Sequence, residues 1–281
     1  MYSDVPIGAA PKFVGPNESA PGAELFDPPP FRPGEIVSHI VGGLLNAAVC
    51  AIGLIHALRY ADLSWTHTAW ALCALVTATY LADLASGILH WMFDTWFDET
   101  RGAVRRMVLL VREHHIYPQR IFRYGLKQEF GLMSWFGLLG ASPAIAASIL
   151  GAGLPSDVRF ALAIAGASYS IELAFSLELH KIGHIFKPGR TIKALQFAHL
   201  ILSPEHHMKH HSREHDNNYC LVNGWADATL GRIGLFRTLE QIVSTATQAR
   251  PRENDRRWRL RFGRWVEPDS LSGHHQLRRE R

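Results

Sequence analysis

The segment from Phe197 to Cys220 reads FAHLILSPEHHMKHHSREHDNNYC and carries six of the sixteen histidines. Five of them, His206, His207, His210, His211 and His215, fall within ten residues. A core cannot absorb that many imidazoles, because each buried ring nitrogen needs a partner. Apolar, Gly- and Trp-bearing sequence follows, which argues against a solvated tail. Metal binding is the economical reading. His207, His210 and His211 form an HxxHH pattern, and spacings of three and four bring rings toward one helical face. His206 and His215 flank that pattern.

Three further groups carry the same chemistry. His180 and His184 in LELHKIGH are four apart, as a helical metal pair requires. His114 and His115 stand together in REHHIYPQRIFR, and His90 lies in ADLASGILHWMFDTW. Asp83 precedes His90 by seven residues and Asp94 follows it by four. Seven residues turn a helix by roughly 700°, so Asp83, His90 and Asp94 share a face if the helix runs past Trp91. Alone, His90 would read as a satisfied interfacial histidine; beside three other groups it reads as a ligand. The candidate ligands are His90, His114, His115, His180, His184, His207, His210 and His211. One zinc takes four, so eight donors suit two ions with positions left open for oxygen. By ligand type the set admits iron, zinc, copper and nickel. Asp83, Asp94, Glu172, Glu178, His206 and His215 are candidates for additional ligands or for outer partners that orient an imidazole.

The elements that must position these residues are apolar. Residues 36–58, 67–91, 131–153 and 158–179 are four long runs, and roughly 20 apolar residues span a bilayer as a helix. The runs carry Gly, Ala and Ser freely, which suits close packing in lipid. A carboxylate inside a span costs about 2.5–3.5 kcal/mol, so Asp83 should face the bundle. Four such runs make a soluble bundle the lesser reading. The expected fold is all-α: a multi-pass membrane bundle of about four helices with a histidine-rich helical cap.

The links near residues 59–66 and 153–157 are short and poor in Lys and Arg, whereas 92–130 and the segment after 179 are basic. The positive-inside rule therefore puts both termini and the histidine clusters in the cytoplasm. Residues 1–35, rich in Pro and Gly, read as a disordered leader without the pattern of a secretory signal. Residues 36–240 form the membrane domain and 241–281 a basic tail. That tail alternates arginines with Trp258, Leu260, Phe262 and Trp265, which suits an anionic membrane surface or plain solvation. Four spans argue against a nucleic-acid partner despite the formal charge of +4. Cys50, Cys73 and Cys220 have no paired spacing, so no disulfide framework or zinc CxxC pair is expected. Arg105, Arg106, Lys187 and Arg190 could meet lipid phosphate or serve topology alone.

The pieces ADLASGILHWMFDTW, EHHIYPQRI, HKIGH and SPEHHMKHHSREHDNNYCLVNGWAD resemble the Kua/CarF-type lipid desaturases across about residues 40–240. That family includes plasmanylethanolamine desaturases and plant plastid phosphatidylglycerol palmitate desaturases. The resemblance implies a di-iron site in which His180/His184 form one histidine box and His207/His210/His211 another, completed by His90, His114 and His115. It implies O2 as co-substrate, a membrane phospholipid as substrate, and an external electron donor, a ferredoxin or a b-type cytochrome. No flavin or nucleotide-binding Gly-rich motif is visible in the chain. The expected reaction is introduction of a double bond into a lipid chain, with vinyl-ether (plasmalogen) formation from a plasmanyl phospholipid favoured. The chain departs from the ether-lipid branch at Tyr117, where an acidic residue is usual, and in YGLKQEFG after Arg123. These departures bear on substrate, so acyl-lipid desaturation stays open beside vinyl-ether formation. A di-iron lipid hydroxylase would use the same residues. A membrane metal transporter would want ionisable groups along the spans, where only Asp83, Glu172 and Glu178 lie.

Overall fold

The computed structural model describes residues 30–61, 64–97, 104–212 and 215–252. The leader up to residue 29 and the tail from 253, with His274 and His275, lie outside the described residues. Helices α1 (Pro33–Leu58) and α2 (Trp65–Thr95) are followed by α3 (Arg105–Ile116) and a 3-10 turn, Pro118–Arg123. Then come α4 (Leu126–Leu150), α5 (Ser156–Ala174), α6 (Ser176–Gly183), α7 (Arg190–Phe197), α8 (Pro204–Ser212), a π turn (Asp227–Gly231) and α9 (Leu235–Thr247). No strand occurs among the described residues.

Among the described residues three helices are long and apolar enough to cross a membrane: α1, α2 and the Glu129–Leu150 part of α4. The pair α5–α6, bent by 52° at Phe175, is long and apolar enough to cross only if its two helices act as one span. This is a helical membrane protein, and Ile40, Leu44, Leu72 and Leu139 turn outward as lipid-facing residues should. The short links make α1–α2 and α4–α5 two hairpins, and α5 packs on α1, α2 and α4. A Cβ on Gly137 of α4 would lie 2.8 Å from the Ser170 carbonyl oxygen of α5, so glycine sets that close approach. Asn46 of α1 meets the Ser170 hydroxyl across the α1–α5 interface. Such a bond is a modest interhelical glue in lipid.

Because α2 and α5 run the same way, the end of α2 and the bent α6 emerge at one end of the bundle. There α3, α7 and α8 complete a cap. Residues 213 and 214 are outside the described residues, and the chain then returns along α2 through residues 215–224, without regular structure, and through a helical turn at 225–231 into α9. Helix α9 crosses residue 240, and Arg252 beyond it bonds the carbonyls of Phe93, Asp94 and Thr95. Arg106 is taken up in structure: it pairs with Glu35 at 2.6 Å and lies 4.4 Å over the Phe31 ring. It ties α3 to the start of α1 and is not a free phosphate ligand.

An apolar cleft of about 390 Å³ opens between α2 and α4 over α5, lined by Leu81, Leu84, Ile88, Ala141, Gly166 and Tyr169. At 100° per residue, the α2 residues facing it lie opposite Asp83, His90 and Asp94. The cleft and the imidazoles are therefore on different faces of α2.

Candidate metal centre

The structure gathers all eight expected imidazoles at the cap end of the bundle and sorts them into two adjoining groups. The first holds His114, His180, His184, His207 and His211; the second holds His90, Asp94, His115 and His210. Within each group the candidate ligand atoms lie within 4.8 Å of one another. The groups touch: the rings of His114 and His115 are 4.4 Å apart, and those of His90 and His180 5.6 Å.

The grouping cuts across the sequence boxes. HxxHH does not serve one site; His207 and His211 join the first group and His210 the second. The pair four apart shares a face, while His210 is rotated by about 60° from His207. His114 and His115, about 100° apart on α3, divide for the same reason. His180 near the end of α6 and His184 at its C-cap stay together, with Nε2 atoms 3.3 Å apart.

Several observations fit metal ions. In the first group the Nε2 atom of His207 lies 2.8 Å from that of His180, 3.0 Å from that of His184 and 3.0 Å from that of His211. A neutral imidazole has one N–H, so one ring cannot satisfy three others by hydrogen bonding. Nitrogens bound at about 2.0–2.1 Å and at right angles about one ion lie about 3 Å apart, the spacing found here. Buried His114 Nε2 and His90 Nε2 have no hydrogen-bond partner among the described residues. In the second group, His210 Nε2 is 3.1 Å from His115 Nε2, and Asp94 Oδ2 is 3.5 Å from both His90 Nε2 and His210 Nε2. Burial holds His114, His115, His207, His210 and His211 well below the ordinary imidazole range, with neighbouring imidazoles adding to the effect. They are therefore neutral and ready to donate a lone pair. Five imidazoles, and three imidazoles with a carboxylate, are donor sets for a transition metal.

The six outer candidates separate. Asp94 belongs to the second group. His215 stacks on His115 at 4.1 Å between ring centres. Asp83 bonds no imidazole directly; its carboxylate accepts the backbone N–H groups of Val222, Asn223, Gly224 and Ala226 at 2.9–3.1 Å. Glu172 accepts from Thr79 and Ser168, within the bundle and outside both groups. Glu178 is paired with Lys181 at 2.9 Å. His206 turns toward Asp227 and Asn218, each at 3.0 Å, and joins neither group.

Sequence reasoning missed Glu113, Asp227 and the residues 217–227 as supports. Glu113, fully buried beside His114, accepts from Arg120 at 2.7 Å, Arg123 at 2.9 Å and Tyr124 at 2.8 Å. Two of the arginines read from sequence as topology signals thus fix α3 against the 3-10 turn. Lys181 bonds the Tyr124 carbonyl at 2.7 Å and also meets Glu129, joining that turn to α6. A signal existed for part of the grouping: among the residues of the two groups, each pair four apart, His180/His184, His207/His211 and His90/Asp94, stays together.

The lipid desaturase domain family matches residues 79–254, which contain every residue of both groups. The chain is 31% identical over 188 residues to a plasmanylethanolamine desaturase of Myxococcus xanthus, covering 66% of this chain and 65% of the relative. It is 29% identical over 237 residues to plasmanylethanolamine desaturase 1 of Mus musculus, covering 81% and 84%. It is 27% identical over 197 residues to the chloroplastic fatty acid desaturase 4 of Arabidopsis thaliana, covering 68% and 56%. No solved structure matches the chain.

Proposed function

Because this chain belongs to the lipid desaturase family, we propose that it is a membrane di-iron desaturase that forms the vinyl-ether double bond of a plasmalogen from a plasmanyl phospholipid. The observation that carries the reading is the pair of adjoining imidazole groups, with eight histidines and Asp94, at the end of a membrane bundle. Two relatives named plasmanylethanolamine desaturase support the substrate, the mouse one across 81% of this chain. The reaction removes two hydrogens from neighbouring carbons, and O2 with two further electrons and two protons leaves as two waters. Bound iron would supply the oxygen chemistry that an unactivated C–H bond requires, which ordinary side-chain acids and bases cannot.

The chain's own residues do the rest. His114, His180, His184, His207 and His211 would hold one ion, and His90, Asp94, His115 and His210 the other. Seven of the eight imidazoles are buried, His207 and His210 completely, and His211 is half-buried, so the centre is largely shielded from water. The electrons come from an external one-electron donor, a ferredoxin or b-type cytochrome. The cap and both termini face the cytoplasm, as the basic loops favour.

Acyl-lipid desaturation is the second reading, favoured by the likeness to the chloroplastic enzyme and by Tyr117 and residues 124–131. Lipid mass spectrometry of cells with and without the protein, before and after acid treatment, tests both. An acid-labile product two hydrogens lighter supports vinyl-ether formation. An acid-stable product two hydrogens lighter moves the chain to acyl lipids, and a gain of one oxygen makes it a hydroxylase.

A further inference from the structure

Residues 219–224 have no regular structure and Trp225 and Ala226 open the helical turn that follows, yet each of these eight amide N–H groups bonds a side-chain oxygen. Tyr219 and Cys220 donate to Asp227 at 3.2 and 2.9 Å. Leu221 donates to the Ser86 hydroxyl at 2.9 Å. Val222, Asn223 and Gly224 donate to Asp83 Oδ1 at 3.1, 2.9 and 3.0 Å, and Ala226 to Asp83 Oδ2 at 2.9 Å. Trp225 donates to Asn223 Oδ1 at 3.1 Å. Asp83 is fully buried, and an irregular segment inside a protein folds only if such donors are met.

The carbonyls of this stretch reach the metal centre. The Tyr219 oxygen is 2.9 Å from His90 Nδ1, and the Asn217 oxygen 2.8 Å from His210 Nδ1. A carbonyl only accepts, so each Nδ1 carries the hydrogen and each Nε2 keeps its lone pair for the ion. Both histidines belong to the second group. In the first group the Nδ1 atoms of His184, His207 and His211 have no hydrogen-bond partner among the described residues, and His114 Nδ1 has only its own helix carbonyl at 3.4 Å. One stripe of α2 therefore does two things: Asp83 and Ser86 grip the return segment, while His90 and Asp94 supply ligands.

We propose that Asp83, with Asp227, is a positioning residue for the second ion alone: it pins residues 219–226 so that the Tyr219 and Asn217 carbonyls fix the tautomer and orientation of His90 and His210. The inference rests on the metal reading of the two groups.

The test uses the full chain purified in detergent, stripped of metal and titrated anaerobically with Fe2+. Bound iron is counted and its Mössbauer signature recorded. Wild type should bind two ions. Asp83→Asn keeps the shape but turns an amide donor toward amide donors; it should bind one ion as wild type does and the other about 10–100-fold more weakly, the usual cost of losing an outer partner of a ligand. Asp227→Asn should act in the same direction, and Ser86→Ala, which frees one amide, less strongly. If Asp83→Asn does not fold, those two variants decide. Two ions bound with wild-type affinity in the variants, or both ions weakened alike, would overturn the proposal while leaving the metal reading intact. Wild type binding no iron would remove both.

Discussion

His207 and His210 sit one turn apart on α8 and serve different groups, held in different ways. His210 is braced from behind by the Asn217 carbonyl, as His90 is by that of Tyr219. His207 has no such brace among the described residues; its ring is kept in place by packing against His180, His184 and His211 at 4.4–4.7 Å. The first group thus has more donors and less orientation, and the second has fewer donors, one of them a carboxylate, with His90 and His210 braced by backbone carbonyls. Donor number and preorganisation are separate ways to hold an ion. A pair of ions so held should be unequal in lability although they share helices.

Ligand removal should break the comparison most severely. His210→Ala leaves the second group three donors, and His211→Ala leaves the first group four. Both variants should lose desaturation by more than the roughly 10–100-fold expected for an outer partner, while still inserting in the membrane. Iron content should separate them: His210→Ala drops to one ion per chain, whereas His211→Ala keeps a second, weaker one. Equal iron loss in the two would mean that the extra imidazole of the first group contributes nothing.

Acid should divide the groups next. Burial keeps His114, His115, His207, His210 and His211 neutral far below the pH at which a free imidazole charges. The unfolded chain takes up protons as pH falls through about 6.5, and the folded chain does not. The metal-free protein is therefore stable above that pH and loses stability below it, by up to about 1.4 kcal/mol per group per pH unit. Bound ions oppose the loss by holding the ligands deprotonated. The first group offers protons five imidazoles and the second three. Titrating loaded protein downward should release the first group's ion first, seen as a two-step loss of iron. Release of both ions in one step would contradict unequal holding.

The apolar helices of the bundle and the histidines that converge at its cap end were legible in the sequence, because apolar length and histidine density are local signals. Their division was half legible. Spacing by four assigns His180/His184, His207/His211 and His90/Asp94 correctly, but nothing local says that His114 joins the first group and His115 the second. That depends on how α3 is rolled by Glu113, Arg120 and Arg123. The role of Asp83 was not legible at all. Its stripe with His90 and Asp94 followed from helical geometry, but its partners lie 139–143 residues away in a stretch with no periodicity.

Gly87→Ala should sharpen the comparison with a smaller effect. A Cβ there would lie 2.6 Å from Cys220 Sγ and 3.3 Å from Cys220 Cα, both completely buried against α2. The side chain has no room to retreat, so the segment must lift away from α2. Its carbonyls at Asn217 and Tyr219 move with it, and the ligands they brace belong only to the second group. Iron affinity at that ion should fall several-fold while the other is unchanged.

The smallest expected effect tests whether stacking alone matters. His215 lies flat on His115, with 4.1 Å between ring centres and 8° between planes, and adopts the left-handed backbone at φ 56. A non-glycine residue held there indicates that the fold fixes its position. His215→Asn, a residue that tolerates this backbone, removes the ring face and leaves the ligands in place. Because His115 is also constrained by α3 and by His210, loss of one stacking face should lower second-ion affinity by no more than a few-fold, read from the same Fe2+ titration. A complete loss of the second ion would instead promote His215 to a ligand and give the second group a fifth donor, erasing the difference in donor number between the two groups.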